Sequence, residues 1–214
     1  ALPPFSRAGE VELLVRLDVD GADAVPGNNE ARLYTRVIDE PIKVLYIDNF
    51  PRFEFVHMKW SLDRDPTVSL TAMNRMPGGG WQVQGNNVLL ENPEAGFPEE
   101  LSQLKQYNVL ILGTVSRGYF SAGDAKYEQK LTNIARFVAE RGGGLIVLGG
   151  HRSYGQGKYR GSPIDPLMPF DIPKHGEADY LTEDFQAELT QMGRFHPLVQ
   201  LGPSPEATRE AWAE

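Results

Sequence analysis

The spacing of apolar residues changes near residue 41. Upstream, residues 10–18 (EVELLVRLD) and 31–38 (ARLYTRVI) carry the alternation and β-branched content of half-buried strands, and the turn-rich DGADAVPGNNE between them closes a hairpin. Two strands are marginally stable alone. Residues 1–41 therefore read as the last hairpin of a β-sandwich whose earlier strands lie outside the sequence. Asp39-Glu40-Pro41 forms the joint to a second domain at 42–214.

From Ile42 onward, short continuous apolar runs alternate with helical periodicity. The runs 42–48 (IKVLYID), 67–73 (TVSLTAM), 107–115 (YNVLILGTV) and 144–150 (GLIVLGG) are apolar on both faces, as strands of a parallel sheet covered by helices must be. A helix is predicted over 122–141, where Tyr127, Leu131, Ile134 and Val138 form one buried stripe. Ser121 and Asp124 suit its start and Gly142-Gly143-Gly144 its end. A shorter helix over 53–63 places Phe53, Val56 and Trp60 on one face, and another is predicted at 98–105. Residues 74–97, rich in Gly, Asn and Pro, read as a long excursion with room for a small hairpin. The fold class is α/β: a flavodoxin-like, doubly wound, mostly parallel sheet, preceded by a short β-hairpin fragment of a β-sandwich.

Composition then removes several functions. Of 214 residues, 41% are hydrophobic and 23% charged, enough for a packed core and not the profile of a disordered chain. A balance of 21 Lys+Arg against 29 Asp+Glu, net −8, argues against a nucleic-acid partner, which selects for a basic face. The absence of cysteine excludes disulfides, thiolate metal sites and every thiol nucleophile. No apolar run approaches the roughly 18 residues of a membrane helix, and residues 1–7 lack the basic start and apolar stretch of a signal peptide. Direct membrane insertion by this segment is therefore not expected. The start without Met and the stop inside the helix-like PEATREAWAE read as an excised, C-terminally truncated piece of a longer protein.

Candidate chemistry gathers at the carboxyl ends of the predicted strands, where open parallel sheets bind ligands. Asp48, Arg52 and Glu54 follow the first strand, Ser116 and Arg117 the third, and Gly150, His151, Arg152 and Ser153 the fourth. These eight positions other than Ser153 are the candidate ligand-binding residues, suited to a small anion. If Pro51 starts the helix, Arg52 and Glu54 lie in its first turn, beside amides that attract anions. The competing reading is a fold-stabilising ion pair from Arg52 to Asp48 or Glu54. Gly149-Gly150-His151-Arg152-Ser153 has the strand-then-turn form of a nucleophile elbow, with Gly150 or His151 at the sharpest position and Ser153 two or three residues late. The competing reading there is a tight turn without chemistry. His196, in Arg194-Phe195-His196-Pro197, has the titration range of a general base, against a structural role beside proline. His151, Ser153 and His196 are thus the only catalytic candidates. The four histidines show no HxH or HxxxH spacing, so neither a metal nor a cofactor is expected. GSPIDPLMPFDI (161–172) reads as a rigid wrapping segment, and the acidic stretch from Glu177 to Glu188 as a solvated face.

The blocks VLYIDNFPRFEF, YNVLILGTVSRGYFS, FVAERGGGLIVLGGHRSYGQGKYRGSPIDPLMPFDI and LTQMGRFHPLVQL resemble the glutamine amidotransferase-like domain of the class I amidotransferase-like superfamily, over about Pro41 to Glu214. The preceding VPGNNEARLYTRVIDEPIKVLYID resembles the junction in large bacterial envelope proteins, where a β-sandwich precedes this domain and membrane segments and a von Willebrand factor A-like region lie elsewhere. Active members use a Cys at the elbow with a distant His and Glu. Here the elbow reads Gly149-Gly150-His151, and Leu198 stands where the His-Pro-Glu pattern has its carboxylate. The resemblance implies a non-catalytic, extracytoplasmic or membrane-associated module that senses a ligand or contacts other domains of its parent or envelope proteins. The alternatives are a cysteine-independent hydrolase using His151 or Ser153 with His196, and a purely structural spacer.

Overall fold

Strand pairing separates two sheets, a two-stranded ribbon and a five-stranded sheet. The structure is a computed structural model describing residues 5, 8–18, 21, 25, 28–37, 39–121, 127–177 and 183–213. The chain divides into two units, residues 1–175 and 176–214.

In the first unit, β1 (Gly9–Arg16) and β2 (Glu30–Val37) pair antiparallel, with Leu13 opposite Leu33 and Val15 opposite Ala31. Side chains of directly opposed residues share a face. One face is therefore apolar, built from Val11, Leu13, Val15, Ala31, Leu33 and Val37 around Thr35. The other carries Glu10, Glu12, Arg16, Glu30, Arg32 and Arg36, and its charges pair across the strands. Arg16 Nε donates to Glu30 at 2.9 Å and Arg32 Nη1 to Glu12 at 2.8 Å. On the apolar face Val15 and Leu33 are 52% and 54% exposed, while Val11, Leu13 and Val37 are half-buried.

The five strands are β3 (Ile42–Asp48), β4 (Val68–Arg75), β5 (Trp81–Gln84), β6 (Val109–Leu112) and β7 (Gly144–Val147), in the order β5-β4-β3-β6-β7. All neighbours are parallel except β4 and β5, which form the small hairpin. Pairing with β5 carries β4 to Arg75, past the predicted end at residue 73. β6 is shorter than predicted because Tyr107 and Val115 enter the core from the flanking loops.

Alternation along β3 sends Leu45 and Ile47 to one face and Val44 and Tyr46 to the other. The first face packs against α2 (Leu101–Leu104), α3 (Arg117–Ser121) and α4 (Tyr127–Arg141), through Leu104, Tyr119, Phe120, Leu131, Ile134 and Phe137. The second packs against α1 (Phe53–Arg64) through Phe55, Met58 and Leu62. Helices thus lie on both faces of a mixed, mostly parallel sheet, as the continuous apolar runs require.

Helix α1 corrects one expectation. Its predicted stripe, Phe53, Val56 and Trp60, is the outward one, at 75%, 50% and 53% exposed. The inward stripe is set by Phe55, whose ring lies 4.9 Å from that of Tyr46. The outward rings are covered locally, Trp60 by the Arg64 guanidinium at 3.6 Å and Phe53 by His57 at 4.1 Å. In α4 the predicted stripe faces the core, and the helix stops as its glycines suggest: Gly142 turns into left-handed backbone at φ 68°, and Gly143 N donates back to Phe137 O at 3.1 Å. Residues 122–126, the predicted start with Asp124, lie outside the described residues. Helix α2 is one short turn rather than the predicted 98–105.

After β7 the chain makes successive turns and wraps the sheet. Tyr159, Ile164 and Ile172 are buried in the first core, and Arg160 Nη1 donates to Ile172 O at 2.7 Å, so the proline-rich segment is anchored as predicted. The second unit contains two single 3-10 turns, Gly193–Phe195 and Pro197–Val199, and α5 (Pro205–Ala213). Ser204 caps α5, accepting from Ala207 N at 3.2 Å, and Trp212 Nε1 donates to Val199 O at 3.0 Å. Residues 178–182 of the acidic stretch lie outside the described residues. Among the described residues no helix is long and apolar enough to cross a membrane.

Candidate functional site

From β3 the chain first proceeds outward to β4 on one side and later to β6 on the other, so strand order reverses between β3 and β6. Ligands of open parallel sheets bind in the crevice at this reversal, outside the carboxyl ends. Asp48 ends β3 there, and Gly113-Thr114 follow β6.

The Asp48 carboxylate is fully buried and accepts three hydrogen bonds, from Asn49 N at 2.8 Å, Thr114 N at 3.1 Å and Arg52 Nε at 2.9 Å. Two backbone donors and one cation suit a buried negative charge. The close approach depends on Gly113, because a Cβ there would lie 2.2 Å from the Asp48 oxygen. Arg52 precedes α1 with extended backbone and makes no side-chain cap; its Nη1 lies 3.3 Å from Glu54. The arrangement is the ion-pair alternative: Arg52 joins Asp48 to Glu54. Below it the Tyr46 hydroxyl is buried without a hydrogen-bond partner, and burial followed by the Asp48 charge pushes its pKa up.

The turn after β7 lies against the same edge. A Cβ on Gly150 would fall 2.0 Å from Thr114 Oγ1, so only glycine fits. Ser153 is buried, and its hydroxyl donates to Leu148 O at 2.8 Å while its amide donates to Gly150 O at 3.0 Å. His151 and Arg152 are exposed, and the Arg152 guanidinium lies 5.4 Å from the Phe50 ring centroid. Tyr154 and Lys158 hold left-handed backbone at φ 46° and 62°. Such strain persists only where its surroundings impose it. Here the Tyr154 hydroxyl donates to Val147 O at 3.1 Å and Tyr159 N to Tyr154 O at 3.1 Å.

Ser116 and Arg117 open α3. Ser116 O accepts from Tyr119 N at 2.9 Å, Arg117 N donates to Gly157 O at 2.8 Å, and the Arg117 side chain pairs with Glu128. His196 belongs to the second unit, is exposed, and uses Nδ1 to accept from Leu198 N at 3.3 Å, capping the turn Pro197–Val199. This is the structural role beside proline.

A row that sequence reasoning missed crosses the same edge. Asp48, the last paired residue of β3, is opposite Asn74, so the next residue, Asn49, follows beside Arg75 at the end of β4, and the amides of Asn49 and Thr114 meet on the same Asp48 oxygen. Of these, Arg75 keeps the alternation of β4 and shares the face of Met73, which packs in the core with Tyr119 and Phe120 of α3, while Asn49 and Thr114 lie just past the ends of their strands. Arg75 Nε, Asn49 Nδ2 and Thr114 Oγ1 are each buried without a hydrogen-bond partner, as is the hydroxyl of Tyr119 on α3. Arg75 went unnoticed because the apolar run of β4 ends at Met73; the signal was the register of two parallel strands, which puts it beside Asn49.

Among the described residues no three His, Asp or Glu side chains converge as metal ligands. No family model matches the chain, and no curated protein or solved structure matches it.

Proposed function

We propose that this chain is a non-catalytic binding module of a longer, envelope-associated protein, flavodoxin-like in strand order and amidotransferase-like in its sequence blocks. It holds partner domains or senses a ligand rather than turning over a substrate. What carries the reading is the commitment of Ser153: its hydroxyl proton points to the Leu148 carbonyl at 2.8 Å, and a carbonyl cannot take that proton as a general base does. Gly150 holds the tight turn itself, and the sequence has no cysteine. The apolar face of the β1–β2 ribbon, exposed at Val15 and Leu33, supports a role in contacting another β-structured domain, since two sheets bury such faces against each other.

The alternative, a cysteine-independent hydrolase at the strand ends, is favoured by one observation, the left-handed Tyr154 and Lys158 beside the turn. One assay separates the two. The purified chain is incubated with glutamine and with chromogenic acyl and glycosyl esters, and release is compared with buffer. The binding-module reading expects no difference. Turnover that disappears in Ser153→Ala or His151→Ala, with the circular dichroism spectrum unchanged, would overturn it.

A further inference from the structure

The carboxyl edge carries Arg75, the last residue of β4. Among the described residues Arg75 makes no ion pair, and its guanidinium lies 4.8 Å from the Trp81 centroid and 5.8 Å from that of Tyr119. Trp81 is directly opposite Arg75 in the β4–β5 ladder and is seated against Gly96, where a Cβ would strike its ring at 2.4 Å. Arg75 is thus held by a rigid aromatic backing, half-buried, with its Nε shielded and unbonded.

Beside it the unspent groups include donors. Asn49 is 7% exposed and Tyr119 4%, and neither the Asn49 amide nor the Tyr119 hydroxyl has a partner; Thr114 adds a second free hydroxyl. Burial pushes the Tyr119 pKa up, so the phenol stays protonated and able to donate. Native proteins leave few buried polar atoms unsatisfied. Arg75 ends β4, Asn49 follows β3 and Thr114 follows β6, so three of these four gather at the carboxyl edge of three adjacent strands, beside the reversal in strand order. The contrast with Asp48 is informative. That carboxylate, one residue before Asn49, takes hydrogen bonds from Asn49 N, Thr114 N and Arg52, and makes no ion pair with Arg75.

We propose that Arg75, Asn49, Thr114 and Tyr119 form a binding site for a small oxyanion, a carboxylate or phosphate group, seated on the Arg75 guanidinium and reaching toward Asn49. Arg75, half-buried next to the exposed Met76–Gly80 turn, is the side that faces solvent. The site differs from the Arg52 and Arg152 positions suggested by sequence, whose guanidinium groups face Asp48 with Glu54, and Phe50. It rests on the binding-module reading for its purpose and not for its occupancy, so turnover in the hydrolysis assay would leave a binding result standing.

The test is a titration of the isotope-labelled chain with inorganic phosphate and, separately, acetate, each against chloride at matched ionic strength, read by amide and arginine Nε–H resonances. Saturable shifts at Arg75, Asn49 and Thr114 are expected. Stronger binding of one anion identifies a tetrahedral or a planar ligand. Arg75→Gln is expected to weaken binding at least about tenfold, the loss of one charge-assisted contact, and Arg152→Gln to leave it unchanged. Should Arg75→Gln fold poorly, Tyr119→Phe, which keeps the ring and removes the hydroxyl, is expected to weaken binding severalfold. Shifts that track chloride equally, or equal affinity in a folded Arg75→Gln or Tyr119→Phe, would overturn the proposal.

Discussion

The β1–β2 ribbon and the five-stranded sheet are made of the same residue types and sit in opposite circumstances. In β3, successive residues Leu45 and Tyr46 are both fully buried, because helices cover the two faces. In β2, successive residues Leu33 and Tyr34 are 54% and 77% exposed. Valine and leucine at a pleated position therefore stabilise little by themselves; what counts is the surface laid over them. The sheet is held by burial and by a satisfied charge at its edge, whereas the ribbon is held by its ladder and exposed ion pairs, each worth under about 1 kcal/mol.

The difference can be broken most severely at Asp48. Replacing it by Ala strands the partly buried Arg52 charge and two backbone donors, and should cost about 3–5 kcal/mol in denaturant unfolding; Asp48→Asn should cost less by keeping an acceptor. A loss under about 1 kcal/mol would show the buried pair to be incidental. A matched pair of truncations sharpens the contrast. Leu131→Ala in the sheet's core should destabilise by about 2–5 kcal/mol, while Leu33→Ala in the ribbon should stay within about 0.5 kcal/mol. Equal losses would mean that the ribbon's apolar face is covered in solution.

The smallest effect is alkaline. Burial raises the pKa of Tyr46, Tyr107, Tyr119 and Tyr159 above the usual tyrosine value near 10. Their contribution is fully present below about pH 10 and is lost as pH rises beyond it, because the unfolded chain releases those protons first. Unfolding midpoints should fall above about pH 10, with tyrosinate absorbance rising in step with unfolding. Tyrosinate absorbance from these residues at neutral pH would contradict the buried assignment.

The central strands were legible because their runs are mainly apolar on both faces, even where β4 buries Ser69, Thr71 and Asn74, and α4 because its stripe is bounded by polar positions. The face of α1 was not, since Phe53, Val56 and Trp60 repeat with the same three-then-four spacing as Phe55, Met58 and Leu62. Only contact with Tyr46 chooses between the two stripes. Of the site, Asp48, Arg52 and Glu54 were readable from their place before a helix. The Arg75–Asn49–Thr114 row was not, because it exists only once the register of β4, β3 and β6 is known.

The glycine triplet between β4 and β5 has a practical side. Gly78, Gly79 and Gly80 bend the chain with nothing packed against them, and exposed turns of this kind accept added sequence with little disturbance. A fluorescent reporter spliced there would ride beside Arg75 without displacing a core side chain, turning the domain into its own indicator of occupancy.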